Sequence, residues 1–311
     1  MTDGRPFRFG VQLTQTPTAA AWKDQARRAE ALGYDILLMP DHLGPQFAIG
    51  PALAVAAEAT STLRIGSLVW QNDLRHPALV AQEAVTLDIL SGGRFELGIG
   101  TGGSIPDEYR RTGIPLEPPS RRVSRLEESV QVLKGLMVEE TFSFTGEYYT
   151  FAEYHPRLEP VQRPHPPLVI AAGGQRMLRI AAIEAGIVSL FPVNSASGGD
   201  AGDEVSMEAF AAKVALIQDV AGERFDSIEL NILLQTLAVS DDRAQAMEVI
   251  RKERGLTDDA WFDSPMVFVG SVSEIVDRMR SVRDRLGVSY FVVFEHWMEP
   301  FAPIVTALAG R

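Results

Sequence analysis

The sequence predicts an α/β fold: a (β/α)8 TIM barrel with insertions, built as one domain over residues 1–311. Three observations lead there. Eight short apolar runs recur along the chain, segments with helical spacing separate them, and no linker-like shift in composition divides the 311 residues. With 46% hydrophobic residues, a chain of this length can bury a large core.

Residues 8–13 form a short apolar run that reads as the first strand. Residues 19–33 follow with helical spacing at Trp22, Ala26, Ala29 and Leu32 and end on Gly33, a residue suited to a helix C-terminus. Residues 34–39 complete the first βαβ unit. An alanine-rich helix over 51–60 leads to a third strand over 63–70, and Pro77 opens the next helix, where its missing N–H does no harm. Residues 94–98 are the fourth strand and run into the glycine-rich stretch 99–103. A helix over 120–139 precedes the aromatic alternation of 141–151 around Gly146, a hairpin outside the βα rhythm. The fifth strand, 166–172, ends at Gly173 and Gly174 before a helix over 175–186, and the sixth covers 187–192. The polar stretch 194–204 is flexible enough in composition to serve as a lid. A helix over 207–222, a long buried strand over 228–239 and a helix over 241–255 come next. An irregular segment near 261–265, an amphipathic helix over 272–286, a last strand over 290–294 and a helix over 301–308 close the chain.

The formal charge of −12 argues against nucleic acid or an anionic membrane as a partner and favours a small molecule. With no cysteine there is no disulfide, thiolate nucleophile or sulfur-ligated metal. The first residues do not read as a signal peptide, and no apolar run approaches the roughly 18 residues of a membrane span. The expectation is a soluble, cytoplasmic protein.

In a βα barrel the strand C-termini share one face, which collects Gln12, Asp41, His42, residues 67–70, Thr101, Gly102, Gly173, Gly174, residues 192–194, Glu295 and His296. Asp41 and His42 leave the second strand side by side and are the first functional candidates. All four lysines, Lys23, Lys134, Lys213 and Lys252, fall on expected helices, which disfavours Schiff-base chemistry, and the histidines lack the spacing of a metal-dependent hydrolase. A glycine pair at a helix N-terminus, with Arg176 in its first turn, suits a phosphate. Acid, imidazole, aromatics and glycine-rich turns together suit a planar phosphorylated cofactor.

DILLMPDH at 35–42, LRIGSLVW at 63–70, RHPALVAQEAVTLDILSGGRFELGIGTG at 75–102 and LVIAAGG at 168–174 carry a resemblance that covers nearly the whole chain. The sequence resembles the bacterial luciferase-like superfamily, and within it the oxidoreductases that use coenzyme F420, an 8-hydroxy-5-deazaflavin. The same fold hosts reduced-FMN monooxygenases. The resemblance implies hydride transfer between F420 and a small organic substrate, with a reduced-FMN monooxygenase as the alternative enzyme and a non-catalytic cofactor-binding barrel as the reading outside enzymes. It implies that Asp41 contacts the deazaflavin, that His42 is the catalytic residue beside the ring, and that Trp70, Thr101 and Gly102 line the ring system. Ser67 and Leu68 match the place where relatives have a non-proline cis peptide under the ring. Gly173, Gly174, Arg176 and Met177 would surround the phosphate of the tail. A homodimer is implied in the same way. Two departures stand out: Gly103 replaces a glutamate of the sugar-phosphate dehydrogenases, and the strand ends lack lysines. Asp107 or Glu108 substitutes for that acid only if its loop folds back.

Overall fold

A computed structural model describes residues 5–14, 18–193, 202–256 and 260–311. Most of the expected lid therefore lies outside the described residues. The barrel sheet is formed by β1 (Arg8–Gln12), β2 (Ile36–Met39), β3 (Arg64–Ser67), β4 (Trp70–Gln71) and β5 (Phe95–Gly100), and later by β8 (Leu168–Ala172), β9 (Ile187–Leu190), β10 (Glu229–Leu233) and β13 (Val288–Phe294). Its strands pair in parallel in the order β3-β2-β1-β13-β10-β9-β8-β5-β4, and pairing of β3 with β5 closes the ring. β3 and β4 are one strand position interrupted by a cis peptide between Leu68 and Val69, one bond beyond the expected Ser67–Leu68. Counted that way, the sheet has the eight positions expected.

The helices α1 (Ala19–Ala31), α2 (Ile49–Ala59), α3 (Pro77–Leu90), α5 (Pro119–Val138), α6 (Gln175–Glu184), α7 (Met207–Ala221), α8 (Arg243–Arg254), α10 (Val272–Leu286) and α11 (Met298–Leu308) follow the strands. Side-chain alternation divides the apolar residues between two cores. On β2, Leu37 and Met39 join the large core under the helices, while Ile36 and Leu38 join a smaller cluster with Leu68, Val169, Ile187, Leu233, Tyr290 and Val292. The N-terminal end of the barrel is polar: Arg8 meets Glu96 and Glu229 at 2.5 Å each, and Arg64 meets Glu96 at 2.7 Å. A recess of about 470 Å³ opens there, at the end opposite the expected site.

Four elements differ from expectation. The long apolar run 228–239 does not form one strand: β10 stays in the barrel, but β11 (Thr236–Val239) leaves it to pair in parallel with β12 (Val267–Gly270), a strand absent from the sequence reading. Leu234 N–H still bonds Val292, whereas Gln235 N–H turns to Met266. Continuous hydrophobicity reports burial but not the partner strand. The short helix α4 (Pro106–Thr112) was likewise not anticipated, and α9 (Ala260–Asp263) occupies part of the segment read as irregular. The expected hairpin is present as antiparallel β6 (Phe142–Thr145) and β7 (Thr150–Tyr154). No helix among the described residues is long and apolar enough to cross a membrane.

Two local devices hold the barrel. Ser67 Oγ donates to the Gly98 carbonyl and accepts from the Gly98 N–H, both at 2.8 Å, across the closing strands. A Cβ on Gly98 would fall onto the Ser67 carbonyl oxygen. Gly98→Ala therefore forces backbone movement and is expected to cost about 1–3 kcal/mol. Gly186→Ala, with its nearest neighbour at 4.0 Å, is the control in urea denaturation. The second device is Glu30 of α1, which receives the N–H groups of Ser61, Thr62 and Leu63 at 2.6 to 3.0 Å. Desolvation opposes its charge, but these bonds and that of the Thr62 hydroxyl hold the carboxyl down to about 2. A depressed carboxyl stabilises the fold above its unfolded value near 4.5 and loses that contribution as pH falls toward 2. The stability gap between wild type and Glu30→Gln should shrink from pH 6 to pH 2 in denaturant melts.

Candidate functional site

Pro40 ends β2 and releases Asp41 into a buried position. A carboxylate placed there requires compensation, and Arg75 supplies it as a two-pronged donor, Nε and Nη2 to the two oxygens at 2.9 and 3.0 Å. Gln71 N–H adds a bond of 3.1 Å to Oδ2, and the Gln71 side-chain amide donates to the Asp41 carbonyl. Arg75 also approaches Glu83 at 3.3 Å.

Gln71 continues the network toward α4. Its Oε1 accepts from the Tyr109 hydroxyl at 2.9 Å, and that hydroxyl accepts from Gly103 N–H at 2.9 Å. Asp73 stands 3.3 Å from the same hydroxyl and pairs with Arg125. Burial pushes both the Tyr109 phenol and the Asp73 carboxyl above their ordinary ranges, with Asp73 adding to the effect on Tyr109. Gly102 and Gly103 have φ near 85° and 75°, and a Cβ on Gly102 would come within 2.5 Å of the Tyr109 oxygen. Arg122 donates to the Gly102 carbonyl. Thr101 Oγ1 lies 3.3 Å from that carbonyl.

The loop after β5 does fold back, and Glu108 is the acid that arrives. Its Oε2 lies 3.3 Å from His42 Nδ1 and 3.4 Å from Gln71 Nε2, while its Oε1 accepts the Leu43 N–H. Glu108 is buried and His42 is partly open to solvent. Asp107 instead pairs with Arg110 and Arg111 on the surface.

At the C-terminal end of the barrel, where His42 also leaves its strand, the inner cluster is apolar: Leu68 and Leu233 with partly buried Val69, Phe191 and Phe294. Gly100 makes room for Val69, because a Cβ there would come within 2.8 Å of that side chain. Gln12, at the end of β1, is buried with Oε1 unpartnered. On the far side α6 begins at Gly174 with no side-chain cap, so its first N–H groups are uncompensated. Open space surrounds Gly174, whereas a Cβ on Gly173 would come within 2.6 Å of the Phe191 carbonyl oxygen.

Several expected site residues lie elsewhere. Trp70 is fully buried in the outer core, 5.7 Å from Phe95 in ring separation, and does not line the mouth. Strand alternation explains this: Trp70 falls on the helix side and Val69 on the barrel side. Met177 is buried in the same outer core, and Arg176 turns out to Glu127 at 2.8 Å and the Ser120 carbonyl at 3.3 Å. Ser67 is consumed by the barrel closure described above. At the last strand end, Glu295 receives Thr14 N–H and Oγ1 at 2.6 and 2.8 Å, while His296 packs on Trp297 at 4.3 Å. Gln71, Arg75 and Tyr109 were not singled out from sequence. Arg75 had a usable signal: a buried acid at a strand end needs a cation, and Arg75 opens the quoted run 75–102.

Asp41 and His42 are adjacent but do different work, which stability measurements separate. Asp41→Ala leaves a half-buried guanidinium without its main partner and should cost about 2 kcal/mol. His42→Ala should change stability by less than about 0.5 kcal/mol. Equal losses in thermal melts of the two variants would contradict this division.

The family profile of luciferase-like monooxygenases matches residues 5–266, and the chain belongs to that family. An F420-dependent glucose-6-phosphate dehydrogenase of Kineococcus radiotolerans is 30% identical over 80% of this chain and 73% of its own. An FMNH2-dependent dimethylsulfone monooxygenase of Pseudomonas putida is 36% identical over 33% of this chain and 28% of its own. The coenzyme F420-dependent tetrahydromethanopterin reductase of Methanopyrus kandleri has the same fold, with a TM-score of 0.79 at 18% identity over 98% of both chains. The long-chain alkane monooxygenase LadA also shares it, at 0.76 and 16%, over 99% of this chain and 92% of that one.

Proposed function

We propose that the protein is a coenzyme F420-dependent oxidoreductase that transfers hydride between the deazaflavin and a small organic substrate at the C-terminal mouth of the barrel. The observation that carries this reading is the His42–Glu108 pair at the edge of the apolar floor, in a chain 30% identical to an F420-dependent dehydrogenase over 73% of that enzyme. The residues present fit a planar cofactor with a phosphorylated tail. The floor of Leu68, Val69, Phe191, Leu233 and Phe294 suits a flat ring, the unpartnered Gln12 oxygen suits a polar ring edge, and the uncapped start of α6 suits a phosphate.

When bound, the cofactor supplies the hydride donor or acceptor, and the protein supplies position and proton control. Glu108 faces Nδ1 of His42 and orients the ring, leaving Nε2 to accept the proton of a substrate hydroxyl or to deliver one to a substrate carbonyl oxygen. The apolar floor excludes water from that edge. Asp41 holds Arg75 and Gln71; the Gln71 amide in turn holds the Asp41 carbonyl before His42, and Glu108 holds the Leu43 N–H after it. Gly174 and the N–H groups after it hold the tail; Arg176, already paired with Glu127, contributes less than a free cation would.

Titration with F420 and with FMN tests the reading. F420 should bind with micromolar affinity or better, and His42→Ala should keep that affinity while lowering turnover by roughly 10²- to 10⁴-fold. Gly174→Asp, which adds a carboxylate where there is room for it, should weaken F420 binding at least tenfold. Gly173→Asp is a poorer test because its Cβ meets backbone. Tight binding of FMN with no response to F420 would favour the monooxygenase, and binding of F420 without turnover of any substrate would favour the non-catalytic barrel.

A further inference from the structure

Apart from Phe47, which packs edge-on against Trp22, four exposed apolar side chains among the described residues stand on loops that leave the C-terminal ends of barrel strands. Leu43 follows β2 and is 52% exposed, Ile105 and Leu116 follow β5 at 45% and 40%, and Val193 follows β9 at 53%. Single exposed leucines are ordinary, but three of these four belong to one structural unit beside His42. Glu108 ties α4 to Leu43 by accepting its N–H, and the Glu108 N–H in turn donates to the Ile105 carbonyl at 3.1 Å. Leu116 reaches the same loop, its Cδ1 lying 3.0 Å from where a Cβ on Gly103 would stand.

Five cations of this neighbourhood are already engaged. Arg75 is paired with Asp41, Arg122 donates to Gly102, Arg125 holds Asp73 and Glu117, Arg110 holds Asp107, and Arg176 holds Glu127. A phosphorylated substrate entering here would have to break one of these pairs or leave its charge uncompensated beside Glu108, in a protein of net charge −12. An apolar substrate meets no such cost.

Resting on the reading of the mouth as the redox site, we propose that its substrate is uncharged and mainly apolar, carrying a carbonyl or hydroxyl toward His42 and its hydrocarbon part against Leu43, Ile105 and Leu116. Sugar phosphates are excluded by the same arrangement. Ile105 and Leu116 are the residues that set this preference.

Calorimetric titration of the full chain with methyl hexyl ketone, glucose 6-phosphate and F420, each added separately and in pairs, tests the proposal. Methyl hexyl ketone should bind the wild type and glucose 6-phosphate should not. The ketone should bind at least tenfold more weakly to Ile105→Lys/Leu116→Lys, with an unchanged melting temperature. Ile105→Ser/Leu116→Ser, a milder pair, should give a smaller loss in the same direction. Binding of glucose 6-phosphate more tightly than the ketone overturns the proposal, as does ketone binding that survives both double variants. Should the lysine variant lose a dimer in sedimentation while ketone binding is unchanged, the patch is a contact between copies and the proposal also fails. The two readings separate in the same samples. F420 binding without ketone binding rejects the substrate class alone, and ketone binding without F420 binding rejects the cofactor alone.

Discussion

A carboxylate taken out of water must be compensated, and that requirement at Asp41 organises the mouth of this barrel. Its two oxygens take both prongs of Arg75 and the N–H of Gln71, so the end of β2 and the segment from Gln71 to Arg75, distant in sequence, meet at one acid. Once Gln71 is fixed, its side chain has a donor and an acceptor to place. The donor goes to the Asp41 carbonyl and toward Glu108, and the acceptor goes to Tyr109. The position of α4, and with it the acid beside His42, follows from pairing one buried charge. The cost of leaving such a group unpaired explains why the network extends without a break to Asp73 and Arg125.

This polar frame surrounds a floor of Leu68, Val69, Phe191, Leu233 and Phe294. The two are products of the same alternation. Successive residues along a strand face opposite sides, so a strand end can present Val69 to the barrel and Trp70 to the helices within one step. A charged rim around an apolar floor is suited to a flat ring, with specificity left to the edges. The barrel's opposite end, with Arg8, Arg64, Glu96 and Glu229 locked together, contributes to stability and lies away from this chemistry.

The eight barrel strand positions were legible because each is a short apolar run between helices, a pattern that follows from burial on both faces. What was lost is instructive. The run 228–239 reads as one strand because hydrophobicity cannot say that β11 pairs with Val267–Gly270 and not with the barrel. At the site, Asp41 and His42 were visible as a polar pair at a strand end. The partners that hold them were not, since these are Arg75, 34 residues from Asp41, and Glu108, 66 residues from His42. Trp70 and Met177 were assigned to the cofactor because residue type and position in a motif do not reveal which face of the element they occupy. Gly103 marked a missing acid, and the structure shows Glu108 arriving from the next helix.

The central claim is that the mouth is shaped for a deazaflavin held against His42. The absorbance of the protein purified from a host that makes both F420 and FMN tests it most directly. A deazaflavin band that stays with the protein through gel filtration, and is lost in Gly174→Asp, is the predicted result. A flavin band in its place, equally present in that variant, would contradict the account.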